Sequence, residues 1–166
     1  MNSMIQISRN IVLAVACLLA TSSAFAQGEN VPPKVELKLA KTQAPAGSQI
    51  KATVIVTFGP GLHGYQNPPS EDYMIPVVVK VDGKEFKLAK PIVYPKGEDQ
   101  KMGSEKPVKA YSGTIQIPVL ITAPAKPGSR DLKIVVTYQQ CTDQACFQPG
   151  EVSATTKLKI TPKGKA

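Results

Sequence analysis

The sequence predicts an all-β domain, an immunoglobulin-like antiparallel β-sandwich of seven to eight strands. Three observations carry that prediction: apolar residues recur at every second position, all fifteen prolines lie after residue 26, and Pro, Gly and Asp turn signals separate the alternating stretches. Alternation with a period of two sets one face of an extended chain against a core and the other in water. Proline at this density removes backbone donors that helices need, and it favours edges and turns.

The elements follow in order. KVELKLAK puts Val35, Leu37 and Leu39 on one face. QIKATVIVTF does the same with Ile50, Ala52, Val54, Val56 and Phe58. A short apolar run starts at Ile75, and EFKLAKPIVY holds one or two strands broken at Pro91. YSGTIQIPVLIT alternates through Ile115, Ile117, Val119 and Ile121. DLKIVVTY follows with Leu132, Ile134, Val136 and Tyr138, and EVSATTKLKI closes with Val152, Ala154, Leu158 and Ile160. Pro45-Ala46-Gly47, Gly59-Pro60-Gly61, Asp82-Gly83 and Pro127-Gly128-Ser129 supply the turns. Two connections stand out. The thirteen residues 95–107, PKGEDQKMGSEKP, have Met102 as their one apolar side chain apart from the prolines. A loop this long without structure of its own serves either as a lid or as plain surface. GYQNPPSEDY, 64–73, is the second.

Residues 1–26 read as a secretory signal peptide: Arg9 without any acid, the apolar run IVLAVACLLA, and the small-x-small end Ala24-Phe25-Ala26. The run is too short to span a bilayer, so no stable membrane insertion is expected. A lipoprotein signal around Cys17 is the rival; it lacks the usual leucine, with Ala14 three residues before the cysteine. Cleavage before Gln27 leaves residues 27–166 as one domain. The chain carries a net charge of +8, and loss of Arg9 makes it +7. The lysines are spread along alternating strands, which suits solubility. No basic block with interleaved aromatics points to nucleic acid. Export places the chain in an oxidising, periplasmic setting, where disulfides persist. Of the three cysteines, Cys141 and Cys146 remain after cleavage, most simply paired with each other.

That pair lies in TYQQCTDQACFQPG and flanks a four-residue hairpin tip, Thr142-Asp143-Gln144-Ala145. Asp143 can bond the backbone of its own turn. Residues facing each other across such a hairpin have Cα atoms roughly 4.5–5.5 Å apart, within reach of a disulfide. Closing so short a loop removes only about 2 kcal/mol of unfolded-chain entropy, against roughly 4.7 for a 100-residue loop. A modest staple at an exposed tip is also open to thiol exchange. On these residues alone, a redox pair and a structural bridge in a non-catalytic binding module both stand.

VTYQQCTDQACFQPGEV resembles the active-site hairpin of the N-terminal periplasmic domain of the DsbD-type thiol–disulfide interchange protein, through Tyr138, Gln139, Cys141, Cys146, Phe147 and Pro149. GLHGYQNPP, IPVVVKV and YPKGEDQKMGSEKPVKAYSG are similar to that family's upstream segments, so the resemblance covers roughly residues 34–161. It implies the same sandwich and an electron shuttle, a component of a thiol–disulfide oxidoreductase system. Such a domain takes electrons from a membrane electron transporter and its thioredoxin-like partner. It passes them to periplasmic disulfide isomerases or cytochrome c maturation factors. Cys146 would form the mixed disulfide and Cys141 would resolve it. The region Asp99 to Gly103 would be the lid, with Lys101 and Met102 at its tip where known members have an aromatic residue. The best-known members also space the cysteines one residue further apart, though shorter spacing is familiar in relatives. This chain is expected to act as a free domain, without attached membrane or thioredoxin-like domains.

Other chemistries fare less well. Any Ser-His-Asp or Cys-His nucleophile system would have to use His63, the sole histidine, which the resemblance places in an early strand as a structural residue. A closed zinc site needs four ligands, more than two cysteines and a histidine supply, so no metal and no cofactor is expected. Cys141, Cys146 and Met102 offer soft donors to Cu(I) once reduced, a lesser reading. The five tyrosines read as core and strand residues, one or two of which could wall the cysteine site. Glu98, Asp99 or Asp143 would modulate a thiolate if close to it.

Overall fold

The structure, a computed structural model, describes residues 30–102 and 106–164. The signal-peptide expectation and Gly103 of the expected lid lie outside the described residues. The described chain is all-β. Its strands are β1 (Lys34–Leu39), β2 (Gln43–Pro45), β3 (Gln49–Thr57), β4 (His63–Tyr65), β5 (Val78–Asp82) and β6 (Lys87–Leu88). They continue as β7 (Glu98–Gln100), β8 (Val108–Ser112), β9 (Thr114–Thr122), β10 (Gly128–Tyr138), β11 (Gln140–Cys141) and β12 (Gly150–Thr161).

Two four-stranded sheets, β1-β3-β9-β6 and β2-β12-β10-β5, enclose one apolar core. The alternating residues meet there as the sequence requires. Val54 and Val56 of β3, Ile117 and Ile121 of β9, and Leu132, Ile134 and Val136 of β10 are all fully enclosed. Each such side chain contributes about 1.5–3 kcal/mol by leaving water. Val54 faces Ile117 across the β3–β9 ladder, and Ile134 faces Ala154 across β10–β12.

Three features depart from expectation. There are twelve strands among the described residues, not seven to eight, because β2, β4, β6, β7 and β11 are two or three residues long. A strand that short shows no alternation to read. The sandwich is not purely antiparallel, since β2 runs parallel to β12 with Ala44 opposite Ile160. Residues 95–107 are not an unstructured loop throughout: Glu98–Gln100 form β7 and pair with β8.

The short strands matter because they build a third sheet, β11-β4-β8-β7, at one end of the sandwich. YSGTIQ, which reads as one strand, is divided between sheets. Gly113 has a φ of 58°, the left-handed region that glycine adopts without a Cβ penalty, and its carbonyl accepts the Phe58 N–H at 2.8 Å. There the chain leaves β8 in the third sheet and enters β9 in the first. The third sheet has its own small core of Tyr65, Met74, Met102, Val108, Ala110 and Cys141.

Candidate redox site

β10 and β12 form one long hairpin that stays paired up to Tyr138 opposite Gly150. Beyond that point residues 139–149 turn away, and Gln140 and Cys141 pair with Gly64 and His63 of β4. The hairpin carrying the cysteines thus belongs to the third sheet. Cys141 and Cys146 are joined by a disulfide, with Cα atoms 3.9 Å apart. This is closer than the expected 4.5–5.5 Å, for a reason visible in the ladder. Phe147 N–H donates to Gln140 O and Thr142 N–H to Ala145 O, both at 2.8 Å. The cysteines are the pair between those two bonded rungs, and such non-hydrogen-bonded pairs approach most closely.

The tip is closed by Thr142, not by Asp143. Thr142 Oγ1 accepts from the Gln144 and Ala145 N–H groups at 3.2 and 3.1 Å. The hydroxyl stands in for a backbone acceptor, as in an ST-turn. Asp143 instead reaches across to β4, where its Oδ1 lies 3.4 Å from His63 Nε2.

The two sulfurs differ in access. Cys141 is 0% exposed and packs into the small core, whereas Cys146 is exposed. β4 supplies the residues that face the hairpin. His63 and Tyr65 lie on one side of the strand. Gly64, between them, faces the main core, where a Cβ would stand 2.6 Å from Phe58 Cζ. The Tyr65 hydroxyl is 3.4 Å from Cys146 Sγ. A disulfide sulfur bears no proton, so the phenol is the donor. Burial first, and the neighbouring Tyr73 second, push the Tyr65 pKa above its ordinary value, which keeps that donor protonated.

The remaining sequence candidates separate clearly. Met102 is in the small core with Cys141. Lys101 is exposed. Asp99 does not meet the cysteines: its carboxylate pairs with Lys109 at 2.9 Å, on the face of the ladder opposite Val108 and Ala110, which pack with Cys141. Glu98 is exposed opposite Ala110. Among the described residues no three His, Cys, Asp or Glu side chains gather as a metal site. Met74 and Met102 belong to the same small core as Cys141.

Sequence reasoning missed three participants. Tyr65 was one of five equivalent tyrosines; its place two residues after His63 on one strand face was the available signal. Ser112 accompanies His63, with Oγ 2.7 Å from Nδ1. Ser112, His63 and Asp143 match a nucleophile triad in composition alone, because the Asp143 side chain is 66% exposed and stands 3.4 Å from the ring. Gln140 is the third: fully buried, it donates to Asn30 Oδ1 and Val31 O, tying residues 30–31 to the hairpin. A cavity of about 480 Å³ adjoins this place, lined by Val31, Leu62, Thr142, Asp143 and Gln144 among others.

The family model "Thiol:disulfide interchange protein DsbD, N-terminal" matches residues 30–158. No curated protein sequence matches. Among solved structures, the N-terminal periplasmic domain of ScsB from Proteus mirabilis is similar at 12% identity with a TM-score of 0.50. That likeness covers 76% of this chain and 46% of the ScsB chain, so this chain spans under half of that structure, and it speaks to the fold alone. The DsbD n-terminal domain of Neisseria meningitidis, in the reduced form, is similar at 21% identity with a TM-score of 0.39, over 80% of this chain and 85% of that one.

Proposed function

This chain belongs to the family of DsbD N-terminal domains, and on that footing we propose that it exchanges thiols and disulfides in the periplasm through Cys141 and Cys146. The observation that carries the reading is the asymmetry of the pair: one sulfur enclosed, the other open to solvent. A structural staple has no need of an exposed member, whereas exchange requires access for in-line attack.

The steps balance as follows. A partner thiolate attacks Cys146 Sγ, a bond forms between the partner and Cys146, and the Cys141–Cys146 bond breaks. Its electron pair leaves on Cys141, which takes up a proton because an anion in that apolar pocket is costly. A second partner thiolate then attacks the partner's own sulfur in the mixed disulfide. Cys146 leaves as thiolate and accepts the Tyr65 hydrogen bond. The partner dithiol is oxidised, and this pair has gained two electrons. Delivery to an oxidised client runs the same steps backwards. Met102 shields the buried sulfur by soft apolar contact, a lid role narrower than one played by the whole segment. The partners implied are thioredoxin-like periplasmic proteins and a membrane electron transporter of DsbD type, reached after export and removal of residues 1–26.

The test is trapping in periplasmic extract. Cys141→Ser, which leaves Cys146 free, is expected to hold partners as mixed disulfides, and Cys146→Ser to hold none. Titration in glutathione or dithiothreitol buffers is expected to give a potential above about −300 mV; a lower one would mark a structural bond and sink the proposal.

A further inference from the structure

The ring of His63, on β4, meets β8 on one side and the hairpin tip on the other. It lies in one cross-strand row, with Ser112 of β8 on one side and Cys141 of β11 on the other. Its side chain is only 12% exposed, yet both ring nitrogens have polar partners: Nδ1 at 2.7 Å from Ser112 Oγ, Nε2 at 3.4 Å from Asp143 Oδ1. An ionised carboxylate only accepts, so a hydrogen bond across this contact places a proton on Nε2. In the neutral ring Nδ1 then accepts from the Ser112 hydroxyl. In the charged ring Nδ1 donates to Ser112, and the contact with Asp143 becomes an ion pair. Every group is satisfied in both states, and the link to the tip is stronger in the charged one.

We propose that His63 is a positioning residue for the disulfide: it tethers the hairpin tip to β4 and β8, so the two sulfurs stay together after the bond between them breaks. This rests on the redox reading above and adds a control to it. Cys141 is fixed in the small core. Cys146 sits one residue past the tip, whose turn hangs on Thr142 and whose lateral anchor is Asp143. A released Cys146 on an anchored tip remains close to Cys141, which raises the effective concentration of each thiol for the other. The equilibrium therefore favours the disulfide. The groups facing the ring are Ser112 from β8, Asp143 from the tip and Tyr65 along β4; Cys141, while bonded, has no proton to exchange.

The experiment measures the equilibrium of the protein disulfide plus two glutathione molecules with the protein dithiol plus glutathione disulfide. Wild type, His63→Gln and Asp143→Asn are compared. Each variant is expected to shift the equilibrium toward the dithiol by about three- to tenfold. A variant that loses thermal stability but leaves the equilibrium unmoved overturns the tether. Should thiols fail to reduce even the wild type, the redox reading fails separately. The tether is then read from amide hydrogen exchange at Gln144 and Ala145, expected to be faster in Asp143→Asn; unchanged exchange overturns it as well.

Discussion

The phenol of Tyr65 lies 3.4 Å from Cys146 Sγ and is held protonated by burial. In the reduced protein the same hydroxyl is placed to stabilise a Cys146 thiolate. A hydrogen bond to a charged acceptor is worth about 1.5–3 kcal/mol, equivalent to one or two decades of thiolate population. A better-stabilised thiolate is also a weaker nucleophile, and with a Brønsted coefficient near 0.5 the rate keeps only about half of that gain on a logarithmic scale. Removing the hydroxyl therefore leaves a net loss. In Tyr65→Phe, reduced Cys146 is expected to react with iodoacetamide about three- to tenfold more slowly near neutral pH, at nearly unchanged stability. An equal or faster rate would show that the phenol only packs against the sulfur. This residue and His63 explain what was hard to read in the sequence. Cys141 and Cys146 announce themselves by composition, but His63 meets Asp143 across 80 positions and Tyr65 meets Cys146 across 81. Contacts that distant leave no local pattern. Asp99 misled for the converse reason: proximity to the expected lid is legible, whereas the face on which its carboxylate lies depends on β7 pairing with β8.

At the level of elements, β4 is the hinge between core and chemistry. Gly64 lets it lie on the core, since an added Cβ would meet Phe58 Cζ at 2.6 Å, Phe58 Cε1 at 2.7 Å and Val77 Cγ2 at 3.2 Å. Phe58 is enclosed and has no room to retreat. Gly64→Ala is expected to cost about 1–3 kcal/mol by overpacking, seen as a lower urea midpoint. It is expected also to make the disulfide easier to reduce, because His63 and Tyr65 shift with the strand. An unchanged midpoint would mean that β4 moves without resistance. Met102 shares the small core with Cys141. Met102→Ala is expected to cost about 2–5 kcal/mol through the cavity left beside Cys141, and to speed reduction by dithiothreitol. If stability falls but reduction does not accelerate, Met102 is packing and not shield. The long strands β3, β9, β10 and β12 were legible because nine or more residues repeat the alternation several times. The third sheet was not, because its strands have two to five residues and draw on four separate parts of the chain.

For the molecule as a whole, the division into a large core and a small one gives the disulfide a rigid base and a separate, smaller support. Buried tyrosines belong to both cores. Tyr111, in the main core, donates to Pro95 O at 2.8 Å, and the Tyr94 hydroxyl accepts the Val79 N–H at 2.9 Å. Burial is the leading cause that raises the pKa of Tyr65, Tyr94, Tyr111 and Tyr138 above the ordinary value near 10. The N–H groups of Val79 and Asn67 partly offset it at Tyr94 and Tyr111. A folded-state pKa above the unfolded one has a definite sign. Below pH 10 both states keep the proton and the stabilisation is complete. As the pH rises further the unfolded chain loses protons first, so it binds fewer than the native state and stability falls with pH. Each tyrosine ionised only in the unfolded chain steepens that fall by about 1.4 kcal/mol per pH unit. The urea midpoint is expected to hold level between about pH 8 and pH 9.5 and to drop steeply above about pH 10. In a Tyr73→Phe background, which removes the exposed tyrosine, phenolate absorbance is expected to appear together with unfolding and not before it. Phenolate formation at full ellipticity would mean that these four hydroxyls titrate in the native state, and that the two cores are more open to water than their packing implies.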